Sequence, residues 1–272
     1  GWDGQSLIKD GAGELVLTAQ NTYSGETYVR AGTLWLTESG VIGVQDSQQT
    51  VNVAQNANFG GQGIVNGNVV NAGNIAMSEN NATNGTLTIN GNYTSNNGSL
   101  TINSQLGDDN SPTDKLVITG DTSGDTTLYV NNIDGQGALT NNGIEVVDVG
   151  GTSDGTFTQG NQVQTGLYEY RLYEDNGDWY LRSQVTKDGS DDTAQYRADI
   201  GAYLGNQWMA RSLQIQSLFD REGSQLKSAD GSVWARFKAG SAQSQASGGN
   251  VDIDNNYSQF QLGSDLATWN DD

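Results

Sequence analysis

The sequence repeats a short pattern of alternating polar and apolar residues at a spacing of roughly 20 residues, with turn residues between the copies. The segment GELVL at residues 13–17 returns as GTLWL at residues 32–36, and related segments occupy residues 50–53, 85–89 and 98–102. This spacing is typical of a β-solenoid, in which each coil completes several short strands before it stacks on the previous coil at about 4.8 Å. We therefore predict a right-handed parallel β-helix with about nine coils before residue 183.

The composition fits a fold with a narrow interior and many tight turns. Only 34% of the residues are apolar, but a coil needs to bury only a few Leu, Val and Ile side chains against its neighbours. Glycine occurs 37 times and proline once, and both glycine and asparagine accept the positive φ of tight turns. The Asn-Gly pairs predicted at turns are Asn66-Gly67, Asn84-Gly85, Asn90-Gly91, Asn97-Gly98 and Asn142-Gly143.

Missing residue types exclude several kinds of chemistry. The chain has no cysteine and no histidine, which excludes disulfides, thiol catalysis, His triads and metal sites built on Cys or His. A net charge of −20 with only 12 Lys and Arg argues against nucleic acid and anionic membranes as partners. The acidic turns at residues 107–110 and 175–178 lack the spacing of a Ca²⁺ loop. We therefore expect no catalytic residue, no cofactor and no metal.

An aromatic hairpin after the repeats is predicted to close the end of the stack. Residues 166–173 and 178–182 have the pattern of two strands joined by a tight turn at residues 174–177. Large side chains there would cover an apolar column whose last coil otherwise exposes its interior and its backbone. The residues predicted to form this cover are Tyr168, Tyr170, Leu172, Tyr173, Trp179, Tyr180 and Leu181. We assign residues 1–144 to the stem of coils and residues 145–183 to the cap.

A polar linker and one long helix are predicted for residues 184–230. Apolar residues recur at mostly four-residue steps over roughly 26 residues, and the pattern ends at Gly223. An arginine and several amides in this stretch would be costly in lipid, so a water-lined or protein-lined channel suits the helix better. An ordinary amphipathic helix on a protein surface explains the pattern equally well. The residues assigned to a pore helix are Tyr196, Ile200, Leu204, Trp208 and Arg211.

Residues 231–272 contain two further alternating segments. They run from Val233 to Ala239 and from Gln259 to Leu266, with a predicted polar loop between Gly240 and Asn256. Their alternation is typical of outer-membrane strands and also of any half-buried sheet. About 40 residues are too few for a barrel even of eight strands, so we predict the first strands of an incomplete barrel. The chain has no signal-peptide pattern and no run of 18 apolar residues, and we expect a mature or excised segment without a transmembrane helix.

The order of these parts is similar to that of a known family. Residues 11–36 resemble the passenger-associated transport repeat, and residues 61–69 resemble the coils that follow it. Residues 166–182 resemble the end of a pertactin-like autochaperone region. Residues 196–223 resemble a barrel-plug helix, and residues 232–236 and 262–266 resemble the first two barrel strands. Together they resemble the C-terminal part of a Gram-negative autotransporter of the AIDA type, a type V secretion protein.

The resemblance implies a non-enzymatic stem and autochaperone that promotes outward folding and export of an adhesin or self-associating passenger at the outer membrane or cell surface. The implied partners are the chain's own β-barrel translocator, the outer-membrane assembly machinery and the surface of host or sister cells, with no nucleic acid. Two alternatives stay open. One is a β-helix enzyme that acts on polysaccharide, and the other is a self-cleaving passenger that uses acidic residues. The candidates for self-cleavage are Asp3, Asp10, Glu14 and Glu26.

Overall fold

The structure, a computed structural model, describes residues 5–187, 191–214, 233–246 and 251–264. The chain divides into two units, Gly1–Gln195 and Tyr196–Asp272. The first unit contains the repeated strands and the aromatic hairpin, and the second contains one helix and a long hairpin.

Six coils of short strands form most of the first unit. Each of the first four coils holds three strands, and their bounds are β1 (Leu7–Lys9), β2 (Glu14–Leu17), β3 (Gln20–Asn21); β4 (Thr27–Val29), β5 (Gly32–Leu36), β6 (Val41–Ile42); β7 (Thr50–Val53), β8 (Ala57–Gly61), β9 (Ile64–Asn66); and β10 (Asn68–Asn71), β11 (Asn74–Ala76), β12 (Thr86–Asn90). In the next two coils the first two strands merge into one, which gives β13 (Tyr93–Ser104), β14 (Lys115–Ile118), β15 (Thr122–Asn132) and β16 (Ile144–Val149). A partial seventh coil begins with β17 (Thr156–Gln159).

Equivalent strands of successive coils pair in parallel and form three columns. The first column runs through β1, β4, β7, β10 and the N-terminal parts of β13 and β15. The second runs through β2, β5, β8, β11, the C-terminal parts of β13 and β15, and β17. The third runs through β3, β6, β9, β12, β14 and β16. This arrangement confirms the parallel β-helix that the repeat predicts.

The interior is one apolar column shared by all coils. Successive residues of a strand point to opposite faces, so every second side chain enters the column. In the second column of strands, Leu34, Phe59, Ile75, Leu100 and Leu128 pair in register from coil to coil, and all are buried. Each coil therefore depends on its neighbours for the burial of its apolar side chains.

The number of coils differs from the prediction. Paired residues of neighbouring coils are about 20 residues apart at the start of the stem, as in Leu15 and Leu34, which is the predicted spacing. The spacing grows toward the cap, where Leu116 pairs with Val147. Loops at residues 105–114 and 133–143 account for this growth. The prediction of about nine coils was wrong because the later coils are longer than the sequence repeat of about 20 residues.

The stack ends where parallel pairing changes to antiparallel pairing. β16 pairs in parallel with β14 on one edge, and on its other edge it pairs antiparallel with β20 (Asp178–Arg182). Beyond β20 in the sheet lie β19 (Tyr168–Asp175), which pairs antiparallel with β20, and then β18 (Val163–Thr165), which pairs antiparallel with β19. The turn between β19 and β20 places Asn176 at φ 54° and Gly177 at φ 99°, as the Asn-Gly hairpin signature predicts. We call β19 and β20 the cap hairpin.

The segments after the cap hairpin contain more regular structure than the sequence predicts. Where a polar linker is predicted, β21 (Gln184–Lys187) and β22 (Asp191–Ala194) form an antiparallel pair. The predicted helix is present as α1 (Ala198–Gln214), and its predicted continuation to Gly223 lies outside the described residues. Within the described part of the chain, no helix is both long enough and apolar enough to cross a membrane.

The last two strands are longer than predicted. β23 (Val233–Ala246) and β24 (Val251–Ser264) pair antiparallel over their whole length. The polar loop predicted between Gly240 and Asn256 was therefore wrong for residues 240–246 and 251–256, because solvated Ser, Gln, Asn and Asp side chains do not prevent backbone pairing. Gly240 pairs directly with Tyr257, whose ring occupies the space where a side chain at Gly240 would lie. Leu266, the end of the second predicted segment, lies outside the described residues.

We predict that Gly61→Ala destabilises the stem. Gly61 has φ 110°, and a Cβ atom there would lie 1.8 Å from the carbonyl oxygen of Leu36 in the preceding coil. The expected loss is about 1 to 3 kcal/mol in the free energy of unfolding, measured by chemical denaturation. Gly13→Ala is the matched control, because a Cβ at Gly13 has no neighbour within 4 Å. Equal stability of the two variants would contradict the close coil-to-coil approach at Gly61.

Candidate functional site: the cap and its junction with the coils

The predicted cap residues lie at the end of the apolar column and differ in how deeply they are buried. Tyr170 and Leu181 are fully buried. Tyr168, Leu172 and Trp179 are partly buried and pack against the core. Tyr173 and Tyr180 are half-buried, and the Arg182 guanidinium lies 5.9 Å and 5.4 Å from the centres of their rings.

Tyr170 connects the cap hairpin to two earlier loops. Its hydroxyl lies 2.7 Å from the carbonyl oxygen of Gly107 and 2.9 Å from that of Ala138, and it accepts a hydrogen bond from the N–H of Ala138 at 2.9 Å. Burial raises the pKa of the Tyr170 hydroxyl, so the phenol remains neutral and keeps its proton for donation. One side chain of the cap thus bonds to the loop that follows β13 and to the loop that follows β15.

Aromatic rings continue the apolar column into the cap. The ring of Trp179 lies 5.3 Å from that of Phe157, and Phe157 stacks on Tyr93 at 6.1 Å with an interplanar angle of 15°. These three residues come from the cap hairpin, the partial seventh coil and the fifth coil. The Trp179 indole N–H is buried and has no hydrogen-bond partner among the described residues, so its contribution is packing.

Side-chain amides replace backbone pairing where β17 ends. Asn161 accepts the N–H of Val130 through Oδ1 and donates to the Val130 carbonyl through Nδ2, both at 2.9 Å. Gln159 accepts the N–H of Leu172 at 2.9 Å and donates to the Tyr170 carbonyl at 3.2 Å. The edge of β15 is therefore closed by Asn161, and Gln159 joins that edge to the cap hairpin.

Asp109 bonds the loop of the fifth coil to the start of β16. Its Oδ1 accepts the N–H groups of Asn141 and Gly143 at 2.8 and 3.0 Å, and its Oδ2 accepts that of Asn142 at 2.9 Å. Burial alone would raise the pKa of this carboxyl. The three backbone hydrogen bonds and the charge of Arg182 outweigh burial and hold the pKa below its ordinary value.

The polypeptide that leaves the cap hairpin is bonded back to the sixth coil. Thr140 and Ser183 exchange hydrogen bonds, since the N–H of Thr140 donates to Ser183 Oγ at 2.9 Å and the N–H of Ser183 donates to Thr140 Oγ1 at 3.0 Å. Thr140 Oγ1 also donates to Gln184 Oε1 at 2.7 Å. The backbone N–H of Gln195 donates to the Ser183 carbonyl at 2.7 Å. Residues 183–195 therefore belong to the same bonded assembly as the cap hairpin.

A ladder of side-chain oxygens joins successive coils at one corner of the solenoid. Asn68 Oδ1 accepts the N–H of Asn92 at 2.9 Å, Asn92 Oδ1 accepts that of Asp121 at 2.8 Å, and Asp121 Oδ1 accepts that of Thr152 at 2.7 Å. Asn68, Asn92, Asp121 and Thr152 lie at equivalent places in their coils, at or just before the start of the first column of strands. We call Asn68, Asn92 and Asp121 the corner ladder. Each of its members uses its own side chain to bond to the coil on the cap side.

Sequence patterns did not identify the polar members of this site. Asp109 belongs to an acidic turn that has no metal-site spacing, and Gln159 and Asn161 are common surface residue types. Their partners are distant in the chain, so no local pattern marks them. A usable signal is that Asn or Asp recurs at the start of successive coils, as in the corner ladder.

The residues assigned to a pore helix lie in the second unit. Tyr196 and Ile200 are half-buried, and Arg211 is exposed. Leu204 and Trp208 are 50% and 54% exposed. Within residues 198–211, the part of α1 whose burial is described, the buried positions are instead Gly201 and Gly205, and the helix packs against β24.

Comparison with known families gives two matches that cover the coils and the cap. Residues 7–36 match the family described as Passenger-associated-transport-repeat, and residues 64–172 match Autochaperone Domain Type 1. The second range contains Asp109, Asn161 and Tyr170. The chain is also 36% identical to the Autotransporter adhesin AIDA-I of Escherichia coli over 58% of its own length. The chain belongs to the autotransporter passengers of the AIDA type.

Two further relatives cover more of the chain. It is 34% identical to the Adhesin BmaC autotransporter of Brucella suis biovar 1 (strain 1330) over 88% of its length, and 39% identical to the uncharacterized protein YdeU of Escherichia coli (strain K12) over 71%. The chain spans 13% of AIDA-I, 8% of BmaC and 47% of YdeU. This passenger segment localises to the outer membrane or surface of a Gram-negative bacterium. Its function is that of a stem and autochaperone.

We predict that Tyr170→Phe destabilises the passenger more than Tyr173→Phe. The first change removes the hydroxyl partner of the half-buried Ala138 N–H and of the carbonyl oxygens of Ala138 and Gly107, which is expected to cost about 1 kcal/mol. Tyr173 lies on the same strand and is half-buried, and its hydroxyl makes no hydrogen bond to the described residues. Tyr173→Phe is therefore expected to leave the free energy of unfolding almost unchanged. The free energy of unfolding of both variants tests this difference. Equal values would show that the Tyr170 hydroxyl does not connect the cap to the coils.

We predict that the stabilising effect of Asp109 depends on pH. Its pKa in the folded chain is lower than its ordinary value of about 3.9, so its contribution is complete above that pH and is lost as the pH falls below about 4. The stability difference between the wild type and Asp109→Asn should therefore be largest near neutral pH and shrink in acid. Asp134→Asn removes the same charge from an exposed turn residue whose carboxylate makes no hydrogen bond in the described structure. A pH-independent difference for Asp109→Asn would contradict the role of its ionised form.

Proposed function

We propose that the cap folds first outside the outer membrane and then serves as the surface on which the coils of the passenger add one by one. The observation that carries this proposal is the contact of Tyr170 with loops of two different coils while the phenol is fully buried. Through these contacts one residue of the cap bonds to two coils at once. A coil has only its neighbours to bury its apolar side chains, so it gains stability only by stacking on a coil that is already folded.

The corner ladder supports growth away from the cap. An incoming coil carries the acceptor, as in Asn68, and the folded coil on its cap side presents the backbone N–H, as in Asn92. The same relation holds between Asn92 and Asp121. Each new coil thus satisfies a donor that the folded end already exposes, and the bond is made only when the coil is in register. Folding outside the cell then opposes backward sliding of the exported chain without a nucleotide cofactor.

The second unit supports a membrane-side role in the same proposal. On the β23–β24 hairpin, Phe237 pairs directly with Phe260, and these residues are 70% and 69% exposed. Leu262, which is 68% exposed, pairs with exposed Ala235 on the same face. An outward apolar face that alternates with polar residues is what a lipid-facing barrel strand presents. We propose that α1 is the pore helix and that β23 and β24 are strands of the translocator, with the outer-membrane assembly machinery as a partner.

The proposed function is non-enzymatic. Among the described residues, no three His, Cys, Asp or Glu side chains are grouped as a metal site. Of the acidic residues considered for self-cleavage, Asp10 accepts the N–H of Gly11, and Glu26 accepts hydrogen bonds from Tyr28 and Asn52. Glu14 is exposed on β2, and Asp3 lies outside the described residues. The hydrogen bonds of Asp10 and Glu26 within the stem favour a folding and display role for the chain over a cleavage reaction, with adhesion or self-association as the activity of the passenger.

We predict that weakening the cap reduces surface display of the intact autotransporter. The test variant combines Tyr170→Phe with Asp109→Asn, and the matched control combines Tyr173→Phe with Asp134→Asn. The fraction of passenger that is accessible to protease on intact cells is expected to fall several-fold for the test variant and to remain at the wild-type level for the control. Normal display by a test variant whose purified chain is clearly destabilised would contradict a folding role of the cap in export.

A further inference from the structure

A shallow groove of about 350 Å³ crosses four coils on the outside of the stem, where the first column of strands turns into the second. Four of the residues that line it, Asn58, Asn74, Ser99 and Thr127, belong to β8, β11, β13 and β15 and pair in register. With neighbouring strands about 4.8 Å apart, this row of side chains is about 14 Å long. The groove therefore suits an extended ligand that lies along the solenoid.

Only some of the polar groups that line the groove are used by the fold. Asn74 Oδ1 accepts hydrogen bonds from the hydroxyls of Ser99 and Thr101, both at 2.9 Å. The Asn74 Nδ2 group and the side chains of Asn58 and Thr127 make no hydrogen bond to any part of the chain that the structure describes. The corner ladder is different, because there each asparagine oxygen accepts a backbone N–H of the next coil.

Turn conformation does not explain the two strand asparagines. Asn56 and Asn97, which also line the groove, have φ of 65° and 56°, and asparagine is a natural choice at such positions. Asn58 and Asn74 have no positive φ and lie within strands, where asparagine is disfavoured. The two hydrogen bonds to Asn74 Oδ1 explain one end of that carboxamide, but they leave the Asn74 Nδ2 group and the whole Asn58 side chain without a structural use in the described chain.

An exposed aromatic ring lies at the cap end of the groove. Tyr129 is 42% exposed, and a Cβ at Gly160 would lie 2.6 Å from its Cε1, so the glycine leaves the space that the ring occupies. Every residue that lines the groove is uncharged, although the chain has a net charge of −20. A ligand of this groove is therefore neutral, rich in hydrogen-bonding groups, and has an apolar face for the ring.

We propose that this groove binds a neutral oligosaccharide. Carboxamides both donate and accept, so Asn58 and Asn74 match the hydroxyl groups of sugars, and the ring of Tyr129 matches the C–H face of a sugar ring. A phosphorylated or uronic ligand would need cationic partners, which the lining residues do not supply. This proposal is independent of the cap, because none of the groove residues bonds to the cap hairpin.

The test is titration calorimetry of the purified chain with neutral hexamers of α-linked glucose, β-linked glucose and N-acetylglucosamine, and with a galacturonate hexamer as the anionic control. We expect at least one neutral hexamer to bind with a Kd of about 1 mM or tighter, and no binding of the anionic one. Tyr129→Ala should weaken binding at least about tenfold, and Tyr28→Ala, which removes a ring from the first column in another coil, should not.

A second variant separates binding from folding. Asn74→Asp keeps the shape of the side chain and adds a negative charge on the groove, so it should abolish binding of the neutral hexamer while thermal unfolding stays close to that of the wild type. Absence of binding by all three neutral hexamers, full binding by Tyr129→Ala, or equal binding of the galacturonate hexamer would overturn the proposal. Self-association that is lost in Tyr129→Ala would also overturn it, since the groove would then hold a second copy of the chain.

Discussion

The open edge of the last coil is the constraint on which the rest of the structure depends. A stack of parallel strands always leaves one row of unpaired backbone groups at its end. Here the three columns are closed in three ways: the third by antiparallel β20, the second by β17 followed by the side chain of Asn161, and the first by a single bridge between Thr122 and Ser153. Residues 145–183 do not repeat the three-strand pattern of the coils, because each column is closed in a different way. The cap therefore makes contacts that differ from those between two coils.

Apolar and polar contacts have different tasks in this molecule. Hydrophobic burial holds the coils together, but it has no direction, and a column of Leu, Val and Ile tolerates small shifts. A shift of one residue would turn every inward side chain outward, so the register must be fixed by directional bonds. The oxygens of Asn68, Asn92 and Asp121 provide them at one corner. Near the cap, Asp109 does the same with three backbone N–H groups.

The sequence predicts the repeated part of the molecule better than its end. Alternation with a coil-length spacing is a local pattern, so the amino-acid sequence is enough to recognise Leu34 and Leu100 as interior residues. The aromatic hairpin likewise identifies Tyr170 and Leu181 as buried. Asp109, Gln159 and Asn161 could not be found in this way, because their partners lie far away in the chain and their residue types are those of ordinary turns. The coil count failed for a related reason, since loop insertions change the spacing without changing the strands.

Asparagine shows how the solenoid separates folding from recognition. At the corner, the Asn68 side chain bonds to the next coil, so its replacement would weaken the stack itself. In the outward row of the second column, the Asn58 side chain makes no hydrogen bond within the described structure, and its replacement leaves every coil-to-coil bond in place. Interior and corner positions therefore determine stability, whereas outward strand positions such as Asn58, whose side chains do not bond to another coil, can vary at little cost to the fold. A stem built in this way can carry a ligand groove on its side while the cap and the corner ladder retain control of folding.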